Sequence, residues 1–341
     1  MSESKQNSLS IIGVGNPIVD FITHVDDDFL KTVDGERGGM VLVDTKTMQG
    51  IVSRLPSGIT RTPGGSAGNT VFAMARMGMP ALYAGKTGNC PEAEFYRESF
   101  VRLGGQLRSF KQGAIANGRC LSLVTPDGER TMRTDLGAAM TLSPDEISPA
   151  DFEGCHLAHI EGYLFFNEAL IRKVLQSAHE AGCRISLDMA SFEVVHAAGK
   201  ALPGLLEKYV DLVFANEEEA GVFTGLKNDY AEMARVLNNY CEVAAVKAGA
   251  GGSYISLGGT VHHVPAVPVS KVIDTTAAGD LWAAGFLYGY LNHYDLPVAG
   301  HMGSLLGAAA VETYGAALSE QVWQNLLEQI SQLSAPSLEE A

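Results

Sequence analysis

The strongest constraint on the fold is a rhythm. Short apolar, β-branched runs at residues 11–15, 81–85, 157–161, 184–188, 211–215 and 243–247 alternate with segments of helical length, including helices from about residues 69 and 92. That alternation is the βαβ rhythm of a parallel sheet covered on both faces. Parallel neighbours need a crossover of a dozen or more residues, usually a helix. The expectation is an α/β domain with a mostly parallel central sheet between helices. Two stretches break the rhythm: residues 21–44 and 106–134 read as short strands with turns, the second holding the hairpin signal Pro126-Asp127-Gly128. They predict a small β-sheet projecting as a lid over a cleft. No repeat or Pro/Ser linker divides the chain, so residues 1–341 read as a single domain whose lid is formed by about 21–48 and 106–138.

Composition narrows the partners. A net charge of −15 repels nucleic acid and anionic membrane surfaces and leaves small molecules. The 38 glycines show no G-X-Y period, which excludes collagen and calls for many turns or close backbone approaches. The polar N-terminal run, residues 1–10, lacks the basic and apolar regions of a secretory leader, and the apolar stretch near residues 281–291 is too short to span a bilayer. Five cysteines without a CxxC spacing suit reduced thiols, so a cytoplasmic location is expected.

The most informative segment is Asp274-Thr275-Thr276-Ala277-Ala278-Gly279-Asp280, which runs into a helix apolar on every face and therefore buried. With Thr275 or Thr276 as helix cap, Asp280 falls outside the capping-box pattern. Backbone N–H groups at Ala277, Ala278 and Gly279 lie at the positive end of that helix, where a phosphoryl group can be held. Asp280 beside them can take a proton from an attacking hydroxyl; simple stabilisation of the helix dipole explains the same acid. A second small-residue stretch, Gly64-Gly65-Ser66-Ala67-Gly68-Asn69, allows close approach of a ligand, with Asn69 offered to sugar hydroxyls or as a helix cap. A P-loop ending at Gly85-Lys86-Thr87 would need glycine where Pro80 stands, and Gly13-Val14-Gly15 lacks the third glycine of a dinucleotide fingerprint. His156, His159 and Cys155 have no fourth ligand at a supporting spacing, so no metal site is assigned to them.

The two stretches, in this order and at this separation, resemble the paired signatures of the ribokinase-like (PfkB) family of sugar and nucleoside kinases. Gly13 to Asp20, the Gly-Gly-Ser-x-x-Asn form at 64–69 and Asp-x-x-Phe-Leu at 26–30 are most similar to its adenosine kinase branch. The resemblance implies a three-layer ribokinase-like fold with a β lid. It implies that Asp280 is the catalytic base and that Ala277, Ala278 and Gly279 form its anion hole. It further implies that Asp20 grips two sugar hydroxyls, with Asn16, Gly64, Gly65 and Asn69 around the same ring. Asn216 and Glu219 match an Asn-x-x-Glu element that organises hydrated Mg²⁺; a helix N-cap with first-turn acids explains them too. Lys247, Gly249 and Gly251 resemble a loop that touches ATP phosphates, or a plain hairpin turn. Arg130 resembles a lid arginine that meets the γ-phosphate, and read alone it is a solvated charge. Small residues at 307–310 and 315–316 line an adenine pocket or pack a helix. One departure stands out: Ala277 replaces the first glycine of the second signature, which is unstrained if that position is already helical, the geometry expected here. Residues 187–190 also lack the Asp-x-Asn-x-Arg form common in sugar kinases.

The implied reaction is ATP-dependent phosphorylation of a ribonucleoside 5′-hydroxyl, that of adenosine, with Mg²⁺ as cofactor and with a requirement for a monovalent cation left open. The alternatives are a ribokinase- or fructokinase-type sugar kinase and a non-catalytic nucleotide or nucleoside sensor. The expected partners are small molecules only, and the chain is a monomer or a homodimer paired through the lid.

Overall fold

The computed structural model describes residues 9–56 and 58–333. The polar stretch from Met1 therefore lies, through residue 8, outside the described residues. Eight strands form the main sheet in the order Thr260–Val264, Ser253–Leu257, Val243–Lys247, Leu212–Asn216, Arg184–Asp188, Leu157–Glu161, Ile11–Val14 and Ala81–Ala84. The last six run parallel; the first two are an antiparallel extension. Side-chain alternation divides each parallel strand between two cores. Val213 and Ala215 face the helices Glu168–Glu180, Ala201–Tyr209 and Tyr230–Leu237, while Leu212 and Phe214 face the layer of Ser66–Arg76, Ala278–Leu291 and Leu296–Val311. Both faces are covered, as continuous apolar runs require. Helix Ala278–Leu291, apolar all round, is buried along most of its length.

The chain runs from strand Ile11–Val14 outward to Ala81–Ala84, then returns to the other side of Ile11–Val14 at Leu157–Glu161. That reversal opens a crevice beyond the carboxyl ends of these two strands, the usual ligand position in an open α/β sheet.

A smaller five-stranded sheet has the order Met40–Leu42, Arg130–Asp135, Gly118–Val124, Ile18–His24 and Thr60–Pro63. The Pro126-Asp127-Gly128 turn joins two of its strands, with Gly128 at φ 86°. Thr60–Pro63 was not among the segments expected to contribute, and Lys111–Gln112 pairs instead with Lys86–Thr87. One face, with Val19, Phe21, Leu121 and Leu123, packs into its own core; alternation turns Asp20 and Cys120 to the other face. Among the described residues no helix is long and apolar enough to cross a membrane.

Two expectations about helix starts fail. The helix placed from about Asn69 begins at Ser66, because Gly65 turns the chain at φ 88° and the Ala67 N–H finds its acceptor in Glu161, 94 residues away, rather than in a local cap. Ala277, expected in helical geometry, is the N-cap residue and is left-handed at φ 61°. The turn is fixed from outside: Asp274 accepts the Thr276 N–H at 2.9 Å and the Gly315 N–H at 2.7 Å, and so sustains a conformation alanine disfavours. Ala277→Gly should therefore raise stability by roughly 0.5–1 kcal/mol, the αL penalty less the added unfolded-state entropy. The check is urea unfolding: a higher midpoint at unchanged slope is expected, and an unchanged or lower midpoint contradicts the strain.

Candidate active site

Ionisable side chains from several strand ends and from the first turns of neighbouring helices collect at the carboxyl edge of the main sheet. Asp280 occupies the third position of helix Ala278–Leu291, and no side chain caps that helix. Its Oδ1 accepts from Ser66 Oγ at 2.8 Å and its Oδ2 from Asn69 Nδ2 at 2.9 Å, while its carbonyl oxygen accepts from Thr70 Oγ1 at 3.0 Å. Three residues of helix Ser66–Arg76 are thus spent on orienting one acid. Asn69, expected at the sugar, donates to Asp280 through its amide nitrogen. Burial pushes the Asp280 carboxyl up to about 6, assisted by the charge of Asp188 and opposed by the donors Asn69 and Ser66. Each carboxylate oxygen keeps a lone pair, so the group can accept a proton.

Around the start of that helix the N–H groups of Ala277, Gly279 and Asp280 find no acceptor among the described residues, whereas the Ala278 N–H is directed to Thr275 O at 3.3 Å. The expected anion hole of Ala277, Ala278 and Gly279 is therefore shifted by one member: Asp280 offers its own N–H in place of Ala278. Uncapped N–H groups at a helix N-terminus suit an anion.

Asp20 lies on the inner face of the smaller sheet, 7% exposed. Among the described residues it accepts no hydrogen bond and forms no ion pair. Burial raises it to about 7; Arg130 pulls it down while Asp280 and Asp274 push it up. A β-carbon on Gly64 would stand 2.5 Å from the Asp20 carboxylate, and one on Gly65 would collide with Asn16 O. These two glycines let the backbone pass against the acid and against Asn16. Asn16 is tied to Glu161 through its backbone N at 2.9 Å and its side-chain amide.

Arg130 is not a solvated charge, and its Nε has no partner among the described residues. It is 8% exposed and pairs with Asp274, which is 4% exposed, and it donates to Ser122 Oγ at 2.6 Å. The pair joins the smaller sheet to the loop before Ala277. Asn216 and Glu219 form a closed capping box: Asn216 Oδ1 accepts from the N–H groups of Glu218 and Glu219, and Glu219 accepts from Asn216 N and Nδ2 at 2.8 and 2.7 Å. Burial and the charge of Asp188 raise Glu219 to about 7. Lys247 pairs with Asp188 at 2.8 Å and reaches toward Gly279. Gly249 and Gly251 belong to a single 3-10 turn joining antiparallel strands, so the hairpin reading holds there. Gly307 lies against Trp282 and the Ala278 carbonyl.

Glu161 and Asp188 received no role from sequence. Each is a buried acid at the carboxyl end of a strand of the main sheet, and an acid closing such a run is the signal that could have found them. Glu161 accepts from Asn16 and from Ala67 N at 3.2 Å, and its burial raises it to about 7. His159, left without a role, bonds Ser186 at 2.9 Å and is pushed down to about 4 by burial. Among the described residues no three or more His, Cys, Asp or Glu side chains gather around a common metal position.

This geometry can be set beside known proteins. The pattern of the pfkB family carbohydrate kinases matches residues 40–323. The chain is 26% identical over 334 residues to an adenosine kinase of Saccharomyces cerevisiae, covering 89% of this chain and 95% of that one. With an uncharacterized sugar kinase of Archaeoglobus fulgidus it shares 29% identity over 249 residues, 71% of this chain and 96% of the relative. Among solved structures, the adenosine kinase from Sinorhizobium meliloti aligns with a TM-score of 0.83 at 29% identity, covering 94% and 99% of the two chains. A probable sugar kinase from Rhizobium etli aligns at 0.84 and 29% identity, covering 96% and 99%. The matched span takes in both the Gly64 to Asn69 turn and the Asp280 helix start, and the chain belongs to the pfkB family of carbohydrate kinases, phosphotransferases with an alcohol group as acceptor.

Proposed function

We propose that the protein transfers the γ-phosphoryl group of ATP to the 5′-hydroxyl of adenosine. The observation that carries the reading is Asp20: a buried carboxylate without a donor, in the same electrostatic neighbourhood as Asp280. Burying an acid unpaired is costly, and two vicinal hydroxyls would supply the missing hydrogen bonds. Adenosine kinases among the relatives support the nucleoside as acceptor, beside sugar kinases that match as well.

In this reading Asp20 holds the ribose against the Gly64-Gly65 backbone, with Asn16 at the ring. Asp280, oriented by Ser66 and Asn69, takes the proton of the attacking hydroxyl. The open N–H groups of Ala277, Gly279 and Asp280 receive the charge that develops on the moving group. The smaller sheet closes over the crevice and keeps water from competing as acceptor. Glu219, a buried acid at the start of its helix, would with Asn216 hold a cation through water rather than in an all-protein cage. Bound there, Mg²⁺ would offset phosphate charge.

Asp280→Asn should keep its melting temperature and lose about 10²- to 10⁴-fold in kcat, the usual contribution of a general base. Near-normal turnover would rule out the mechanism. Both Asp280 and Asp20 must be ionised, and their values of about 6 and 7 lie above the ordinary aspartate range. Accordingly kcat/KM for the acceptor should rise with pH through that interval and level off above it; a profile flat from pH 5 to 8 contradicts the assignment. A panel of adenosine, inosine, guanosine, ribose and fructose, read as ADP release, tests the acceptor. Preferential turnover of free sugars moves the assignment to a sugar kinase, and nucleotide binding without transfer moves it to a sensor.

A further inference from the structure

A second charged group reaches the start of helix Ala278–Leu291, where burial and the helix dipole oppose a cation and the carboxylates of Asp188, Glu219 and Asp280 favour it. A β-carbon on Gly279 would stand 2.9 Å from Lys247 Nζ, so the ammonium lies beside the open N–H groups of the helix. Cations are unfavourable at a helix N-terminus, where acids are the stabilising choice. Lys247 is also only 14% exposed, which adds a desolvation cost.

Asp188 is the carboxylate in direct contact with that charge, and Glu219 and Asp280 add to the field that favours it. Asp188 Oδ2 lies 2.8 Å from Nζ, and the residue is 7% exposed. Its other oxygen accepts the Ala190 N–H at 2.9 Å. Ala190 adopts φ 64°, and Ser191 N bonds back to Met189 O at 2.8 Å, so the carboxylate is aimed by a strained turn of its own chain. A buried pair, a strained turn and a missing side chain at Gly279 all converge on one ammonium facing uncapped N–H groups. Stability alone calls for none of these.

We infer that Asp188 is a positioning residue that holds Lys247 against the transferred phosphoryl group, which makes Lys247 a catalytic residue for the transfer. The inference rests on the phosphoryl-transfer reading of this site, but not on which alcohol accepts the group. Nothing is exchanged covalently with either side chain, and no proton moves between them. Lys247 stays an ammonium with three donors, one given to Asp188, and the others face oxygens whose charge grows in the transition state. Asp188 touches no substrate and acts only through Lys247.

The test is nucleotide binding without turnover, by calorimetry, with ADP and with the non-hydrolysable imidophosphate analogue of ATP. Lys247→Met should weaken the analogue about 10- to 100-fold and ADP less than about threefold, because only the analogue carries the third phosphate. Asp188→Asn should weaken the analogue at least about fivefold in the native background and less than about twofold when added to Lys247→Met. Removing one partner strands the other charge, so the double variant, which has neither, serves as the folding control through its melting temperature. Equal weakening of ADP and the analogue, or the same cost of Asp188→Asn in both backgrounds, would overturn the inference. Wild-type protein that binds no nucleotide overturns it together with the phosphoryl-transfer reading. If adenosine is not phosphorylated but the discrimination between the two nucleotides follows this pattern, the inference is supported and only the choice of acceptor is lost.

Discussion

The site hangs on the Glu161 carboxylate. One oxygen holds the Asn16 backbone and side chain, and the other caps helix Ser66–Arg76 at Ala67. These contacts lie at the reversal of strand order, where the strands Ile11–Val14 and Leu157–Glu161 run side by side and their ends point into the same crevice. Fixing the start of helix Ser66–Arg76 fixes Ser66, Asn69 and Thr70 one turn apart, and these three residues then fix Asp280. A chain of hydrogen bonds therefore runs from one strand end to the candidate base. Gly15 shows how tight the first link is, since any β-carbon there would enter the Glu161 side chain.

The electrostatics of the crevice follow from the same crowding. Asp20, Glu161, Asp188, Glu219 and Asp280 are buried within reach of one another, while Lys247 and Arg130 supply the positive charge. Desolvation raises Asp20, Glu161, Glu219 and Asp280; Asp188, directly paired with Lys247, is held low. Acids buried without a direct cationic partner are costly and signal a function rather than a contribution to stability. On the proposed reading, a chain of net charge −15 can still admit a phosphate, because the anion would meet backbone N–H groups and one fixed ammonium rather than the average field.

Elements governed by local pattern were legible in the sequence. Strands Leu157–Glu161, Arg184–Asp188 and Val243–Lys247 lie where the apolar runs end, and the buried helix with an acid in its first turn is Ala278–Leu291. What was not legible depends on partners distant in the chain. The start of helix Ser66–Arg76 is set by an acid 94 residues away, so Asn69, a plausible cap by local rules, sits inside the first turn and serves Asp280. Arg130 reads as a surface charge until Asp274, 144 residues on, buries it. Strand Thr60–Pro63 carries two threonines, an arginine and a proline and has little apolar signal; its place beside Ile18–His24 is set by pairing alone.

Ala277 shows how such distant partners set chemistry as well as shape. By itself an alanine there would relax into the helix and turn its N–H inward, away from the crevice. Asp274 prevents this because its two oxygens are committed to Thr276, Gly315 and Arg130, which holds the preceding residues in one arrangement. The cost of the left-handed residue is thus borne by a buried network, and the return is a set of N–H groups without internal acceptors at the helix start. Since Arg130 belongs to the smaller sheet, its ion pair with Asp274 links that sheet to the turn before helix Ala278–Leu291. The glycine of the family signature would make the turn without strain, whereas the alanine is held left-handed by the bonds of Asp274 to Thr276 and Gly315.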